Sequence, residues 1–309
     1  MCITLFGLPS VDLMTTVTPF FFVDVFAERP LTGNPLALVP DADGLTSDQM
    51  RDIAREFNQS ETTFLLQPTQ PGAAWRLRSF TPIGAEVDGA GHNALGAWLW
   101  LADQGLTGDE PSRTLMQEIG GDVLPVEVVR QAGRGVRIVM EQSSPVFGPV
   151  VEDAHRLAAA LGLRPEHLST DQPAQVVSTG VAHLLVPLAD RRAVDVTAAD
   201  TRALAAILAE VGAEGCYVYT SAPGEPQADA YSRFFNPTVG IVEDPATGTA
   251  AGPLAALLAR TQRIDGGLVV IEQGHKLGRP SRIQVEVDGD RVRISGSGII
   301  TARGELRLV

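Results

Sequence analysis

Arg78-Ser79-Phe80-Thr81-Pro82, followed by the glycine-rich turn Gly89-Ala90-Gly91 and an apolar helix over about 92–102, is the stretch that decides the fold, because the chain repeats it. Arg233-Phe234-Phe235-Asn236-Pro237, the turn Thr247-Gly248-Thr249 and an apolar helix through Leu254-Ala255-Ala256-Leu257-Leu258-Ala259 come in the same order in the second half. The match extends upstream. Residues 46–57 have helical periodicity, with Met50, Ile53, Ala54 and Phe57 on one face and Thr46 or Ser47 as cap, and the strand-like run 62–66 follows. In the second half, residues 199–211 are helical with Leu204, Ile207, Leu208 and Val211 apolar, and 216–219 reads as a strand. One shared pentapeptide is weak evidence. Four elements in one order mark an internal duplication.

Both glycine-led helices, expected to start near His92 and Gly252, are apolar almost all round, so each must be surrounded by protein. Short alternating strands supply the covering, for example Val136-Arg137-Ile138-Val139-Met140 and the hairpin at Asp288-Gly289 that joins 283–287 to 291–294. The expected fold is α+β, with two pseudo-symmetric half-domains, each a curled β layer around one central buried helix. Residues 1–17 read as an N-terminal extension, with Met14 an alternative start. Residues 18–133 form the first half-domain and 134–295 the second, divided near the polar, glycine-containing break at 131–135. Residues 296–309 are expected to return and complete the first half.

Composition removes several function classes. A net charge of −13 repels nucleic acid and anionic membranes. No apolar run reaches the ~18–20 residues that span a bilayer, and no basic region precedes the N-terminal apolar residues as in a secretory signal. The two cysteines, Cys2 and Cys216, lack CxxC spacing, which points to a reducing, cytoplasmic setting. Lys276 is the only lysine, and its surroundings (Gly274-His275-Lys276-Leu277-Gly278) suit neither a Schiff base nor a phosphate loop. His92, His155, His167, His183 and His275 lack metal-ligand spacing. No Gly-x-Ser-x-Gly elbow occurs, and Ala94 breaks a dinucleotide fingerprint at Gly89-Ala90-Gly91. The chemistry is therefore expected to need neither metal nor organic cofactor.

A helix that begins in a glycine-rich turn presents unpaired N–H groups and a positive dipole end. Two such helices facing one cleft would hold a carboxylate and stabilise an enolate. Three ionisable residues stand beside these turns: Glu61 between helix and strand, His92 directly after Gly91, and Asp244 just before Pro245-Ala246-Thr247-Gly248.

The runs Val23-Asp24-Val25-Phe26, Leu31-Thr32-Gly33-Asn34-Pro35-Leu36-Ala37, Asn58-Gln59-Ser60-Glu61-Thr62-Thr63-Phe64 and Gly91-His92-Asn93-Ala94-Leu95-Gly96 resemble the phenazine-biosynthesis PhzF-like family. So do Val177-Ser178-Thr179-Gly180, the run from Glu243 to Pro253, and Gln273-Gly274 with Gly278-Arg279-Pro280-Ser281. The resemblance implies the diaminopimelate-epimerase-like fold, with Glu61, His92 and Asp244 as catalytic residues in a site between the halves. It also implies a homodimer and a small-molecule carboxylate substrate bound by Gly91, Gly248, Thr249 and Asn34, and Asp88 is expected to join them at the cleft. Thr249 stands where relatives usually carry a serine that helps hold the carboxylate, and Asp88-Gly89 replaces a commonly apolar pair. Racemases of this fold use two cysteines, and none stands at either turn here. The implied activity is a cofactor-independent isomerisation, an allylic proton shift in which Glu61 removes a proton and returns it elsewhere. The alternatives are an epimerase or racemase of unknown substrate, and a catalytically inactive small-molecule-binding protein of the same fold.

Overall fold

A computed structural model describes residues 16–131, 133, 135–222, 227–264 and 267–308. The extension upstream, with Met14 and Cys2, lies outside the described residues. The strands of the first half of the chain are β1 (Thr16–Val25), β2 (Asn34–Val39), β3 (Thr62–Leu66), β4 (Trp75–Phe80), β5 (Glu86–Val87), β6 (Ser112–Ile119), β7 (Asp122–Gln131) and β8 (Gly135–Gln142). The remainder carries β9 (Val146–Val150), β10 (Gln175–Ser178), β11 (Ala182–Pro187), β12 (Gly215–Thr220), β13 (Ala230–Asn236), β14 (Ile241–Asp244), β15 (Gly267–Gln273), β16 (Ser281–Asp288), β17 (Arg291–Gly296) and β18 (Gly298–Leu308). The helices are α1 (Ser47–Phe57), α2 (His92–Asp103), α3 (Ala154–Ala160), α4 (Arg191–Val196), α5 (Thr201–Val211) and α6 (Gly248–Arg260).

These strands pair into one continuous sheet whose two arms match. From one free end the order is β18-β1-β2-β3-β4-β6-β7-β8, and from the other β9-β10-β11-β12-β13-β15-β16-β17. The arms meet where β8 pairs with β17. Each has parallel pairs at the same two places, β2–β3 and β4–β6 in one arm, β11–β12 and β13–β15 in the other. Each curls around its own apolar helix. α2 packs on β1, β2, β3, β4, β8 and β18, and α6 on β10, β11, β16 and β17.

Local sequence explains both helices. Ala94, Leu95, Ala97, Trp98 and Leu101 of α2 are fully buried, and the one polar indole atom of Trp98 donates to Gln117 Oε1 at 2.8 Å. Such a side chain enters a core only with its N–H partnered. At Gly96 a β-carbon would lie 2.9 Å from Val25 and collide with Leu36, so glycine there lets α2 lie flat on β1 and β2. At the start of α1 Thr46 caps as read, closing a box with Gln49, and the structure adds Asp200 as the cap of α5.

Three boundaries differ from expectation. β1 begins at Thr16 and pairs Val17 with Arg307, so the fold starts inside the stretch read as an extension. The break at 131–135 is the β7–β8 hairpin, and β8 packs on α2; the division between halves is better drawn beyond Gln142. α6 begins at Gly248, a full turn before Gly252, with Pro253 inside it. Both central helices are buried along nearly their whole length, with Thr249 the half-buried exception near the start of α6.

Candidate active site

The first half delivers its ionisable groups through two short junctions. α1 stops at Asn58, whose left-handed backbone (φ 50°) reverses the chain, and Glu61 follows directly before β3. At the start of α2 the Gly91 N–H donates to Asn93 Oδ1 at 2.6 Å, and Asn93 Nδ2 donates to Gly89 O at 2.9 Å and Ser79 Oγ at 3.1 Å. Asn93 thereby ties the turn to β4, while the first-turn N–H groups of α2 have no carbonyl to bond within the helix.

The second half braces its turn with Gln273, at the end of β15. Gln273 Nε2 donates to Asp244 O (2.7 Å) and Thr247 Oγ1 (3.0 Å), and Oε1 accepts from Thr247 N–H (3.2 Å) and Tyr217 OH (2.8 Å). The Asp244 carboxylate accepts from Thr247 Oγ1 at 2.6 Å, and across the seam from Ser60 Oγ and Asn34 Nδ2, both at 3.0 Å. In return, second-half Arg279 clamps the loop before Asn34, donating to Asp24 Oδ1, Gly33 O and Thr32 O at 2.7–2.8 Å.

The two helix starts meet: a β-carbon on Gly91 would lie 3.8 Å from Thr249 Cγ2. Between them opens a cavity of about 480 Å³, which Glu61, His92 and Asp244 line together with Gly91, Gly248, Thr249 and Asp88. Asn34 is the exception among the expected binding residues. It is fully buried behind Asp244, and its amide also donates to Ala246 O at 2.8 Å, so it orients the turn instead of facing a ligand.

Electrostatics separate the three central residues. Glu61 Oε2 is buried without a hydrogen-bond partner, and His92 Nδ1, the nearest ring nitrogen, is 3.6 Å away, too long for a bond. Burial, reinforced by the charges of Asp244 and Glu214, pushes the Glu61 carboxyl up to about 8. Burial also holds His92 neutral, its imidazolium disfavoured down to about 4. Asp244 is raised by burial to about 6, less than Glu61 because Thr247, Ser60 and Asn34 donate to its charged form. No Lys or Arg lines the cavity among the described residues, and His183 in its wall is likewise neutral, lowered to about 3 by burial. An entering anion meets helix N-termini and a hydroxyl, not a cation.

Two ionisable residues that face the cavity from the second half escape a reading of the sequence, although the duplication signals one of them directly. Glu214 precedes β12 as Glu61 precedes β3, and it faces the same cavity from the other half. His183 enters that reading only among five histidines without metal-ligand spacing, yet it lines the cavity one residue into β11. Among the described residues no group of three His, Cys, Asp or Glu side chains is placed to hold a metal ion.

Two like halves close ionisable groups and two helix ends on one cleft, and relatives similar over nearly the whole chain are named isomerases, the class to which this chain belongs. The chain belongs to the phenazine biosynthesis-like (PhzC-PhzF) family, whose model matches residues 23–304. It is 37% identical to the trans-2,3-dihydro-3-hydroxyanthranilate isomerase of Pseudomonas aeruginosa over 94% of this chain and 99% of that one. The crystal structure of a PhzF-family phenazine biosynthesis protein from Bacillus anthracis superposes with a TM-score of 0.87 at 27% identity, covering 95% of this chain and all of that one. A predicted epimerase from Pseudomonas aeruginosa superposes with a TM-score of 0.80 at 35% identity, over 94% and 99% of the two chains. Among the described residues no helix is long and apolar enough to cross a membrane.

Proposed function

We propose that this isomerase shifts a proton within a small carboxylate-bearing substrate without a cofactor, with Glu61 as the acid/base group. The observation that carries the reading is the state of Glu61: a half-buried side chain whose Oε2 is buried and unbonded, its carboxyl pushed up to about 8 at the junction of two helix starts. A general base works best with its pKa near ambient pH, and an oxygen without a protein partner is free to take a substrate proton. The N–H groups of Gly248 and Thr249 and the Thr249 hydroxyl would hold the substrate carboxylate. The opposed α2 terminus would stabilise the negative charge that develops when the proton leaves. Neutral His92 contributes a ring nitrogen, Nε2, that is buried and unpartnered, and it would orient a polar group on the substrate. A cavity of about 480 Å³ suits a molecule built on one ring.

The experiment is incubation with unsaturated cyclic carboxylic acids in deuterated water, beginning with trans-2,3-dihydro-3-hydroxyanthranilate, followed by mass spectrometry and NMR. Deuterium entering at one allylic carbon while the double bond moves is the expected result. Tight binding with neither exchange nor isomerisation would make the protein a binder and end the catalytic reading.

One observation favours epimerisation as a second reading. Glu214 gives the cleft a carboxylate from each half, and its charge already acts on Glu61. Inversion at a stereocentre requires groups on both faces. In that case Glu214→Gln would abolish turnover, whereas under the allylic-shift reading it would leave turnover intact.

A further inference from the structure

Thr249 is the second residue of α6 and borders the cavity. Which way its hydroxyl hydrogen points decides whether it can donate to a ligand. Helical threonines often turn the hydroxyl back to the carbonyl three or four residues earlier. Here those carbonyls already accept elsewhere, Pro245 O from Ser281 Oγ at 3.0 Å and Ala246 O from Asn34 Nδ2 at 2.8 Å. The partner of Thr249 Oγ1 is instead His183 Nε2, at 3.2 Å.

His183 is 1% exposed, and its ring stands edge-on to Phe234 with centroids 5.0 Å apart. Its other nitrogen, Nδ1, is buried without a partner. Nδ1 faces Gly215, where a β-carbon would sit 3.2 Å from it and run into the Phe234 ring, so the wall there is closely packed. A neutral imidazole carries one N–H and one acceptor nitrogen. With the hydrogen on Nδ1, a donor would be stranded in that wall; with it on Nε2, the donor meets Thr249 and only a lone pair is stranded. Orphaned buried N–H groups are the rarer of the two in proteins.

We propose that His183 is a positioning residue: its Nε2–H donates to Thr249 Oγ1, which turns the Thr249 hydroxyl hydrogen into the cleft as a ready donor to an anionic ligand group. The proposal rests on the reading of the α6 start as the carboxylate site. It adds that the hydroxyl's direction is set before the ligand arrives, by a side chain from β11. The duplication supplies a parallel: Asn34, at the head of β2, orients the turn before α6, and His183, near the head of β11, orients the first turn of α6 itself.

The test begins on the ligand-free protein, with long-range ¹H–¹⁵N correlation of the histidine rings. The expected result is a neutral Nε2–H tautomer for His183 from pH 6 to 9, with resonances that move in Thr249→Val. An Nδ1–H tautomer, or a ring indifferent to Thr249→Val, overturns the proposal. The second arm uses the substrate returned by the deuterium screen. His183→Met should raise KM about tenfold, the loss of one hydrogen bond to a charged group, with kcat within about twofold. His183→Gln, whose amide nitrogen reaches the place of Nε2, should recover most of that loss, and His183→Met should add little in a Thr249→Val background. Equal impairment by Gln and Met, or additive effects with Thr249→Val, overturns the proposal as well. A protein that turns over no carboxylate would defeat the isomerase reading alone, because the ring spectrum decides His183 independently.

Discussion

The starts of α2 and α6 are built from one repeated plan and wired in opposite ways. Asp88-Gly89-Ala90-Gly91-His92-Asn93-Ala94-Leu95-Gly96 aligns with Asp244-Pro245-Ala246-Thr247-Gly248-Thr249-Ala250-Ala251-Gly252, keeping the aspartate, two alanines and the close-packing glycine. At α6 the carboxylate is saturated: Asp244 takes hydrogen bonds from Asn34, Ser60 and Thr247. Beside α2 the carboxylate is starved: Glu61 Oε2 and His92 Nε2 are buried without partners. Hydrogen-bonded carboxylates hold structure, whereas an unsatisfied buried one keeps a free energy cost that a substrate can relieve. We infer from this difference that reaction belongs to the α2 side and positioning to the α6 side.

The strongest test of that division is Glu61→Gln. It keeps shape but cannot titrate, and turnover should fall by roughly 10² to 10⁴, with KM little changed. Kinetics on the first confirmed substrate decide it, and turnover within tenfold of wild type would move the chemistry elsewhere.

Next comes Asp244→Asn, which turns one acceptor oxygen into a donor facing other donors. Denaturant melts should show a loss of about 1–3 kcal/mol. Removing the Asp244 charge should also lower the Glu61 pKa, because that charge helps raise it. The base form of Glu61 is about one tenth of the total at pH 7 for a pKa of about 8, so kcat/KM should climb through pH 8 in the wild type. In Asp244→Asn the same limb should lie at lower pH. A turnover loss as deep as that of Glu61→Gln, with the limb unmoved, would erase the contrast between the two sides.

Stability should show the same asymmetry more weakly. Folding raises the Glu61 pKa from 4.5 to about 8, so the native state holds a proton that the unfolded chain releases across that window. This contribution is complete below pH 4.5 and is lost as pH rises through 8. Urea midpoints of the wild type should therefore fall relative to Glu61→Gln between pH 5 and 9, and parallel curves would mean that Glu61 ionises as freely as in water.

The smallest effect belongs to Cys216→Ala. Cys216 is fully buried in β12, and burial pushes its thiol pKa up, away from reactivity. Solvent-deuterium exchange should stay near wild type. Its disappearance would replace the glutamate with a thiol.

How much of this is legible in the residues follows from range. The two central helices are visible because a helix that is apolar around its whole circumference has no face to give to water, and both are buried. The break at 131–135 misleads because a polar, glycine-containing turn looks the same whether it links domains or closes a hairpin; pairing of Gln131 with Gly135 decides it. Asn34 reads as a ligand contact because nothing local shows that its amide reaches Asp244, 210 residues away. His183 has no local signature, since its partner Thr249 comes from another element. Glu214 is within reach of the duplication once the copies are aligned at the residue before each strand.

The pairing of β18 with β1 carries a consequence for the order of events during synthesis. β1 leaves the ribosome first, yet one of its two neighbours is the strand spanning 298–308, paired from Thr16↔Leu308 to Val25↔Gly298. The strands of the second arm, from β9 to β17, all emerge before that last strand. Until then β1 is an open edge carrying Phe20, Phe21 and Phe22, the kind of template onto which other chains add. Such long-range pairing is slow to form and leaves nascent chains prone to aggregate. A chain arrested before residue 298 would have every strand of its second arm but a first arm still lacking the eleven-residue strand that pairs along the whole of β1.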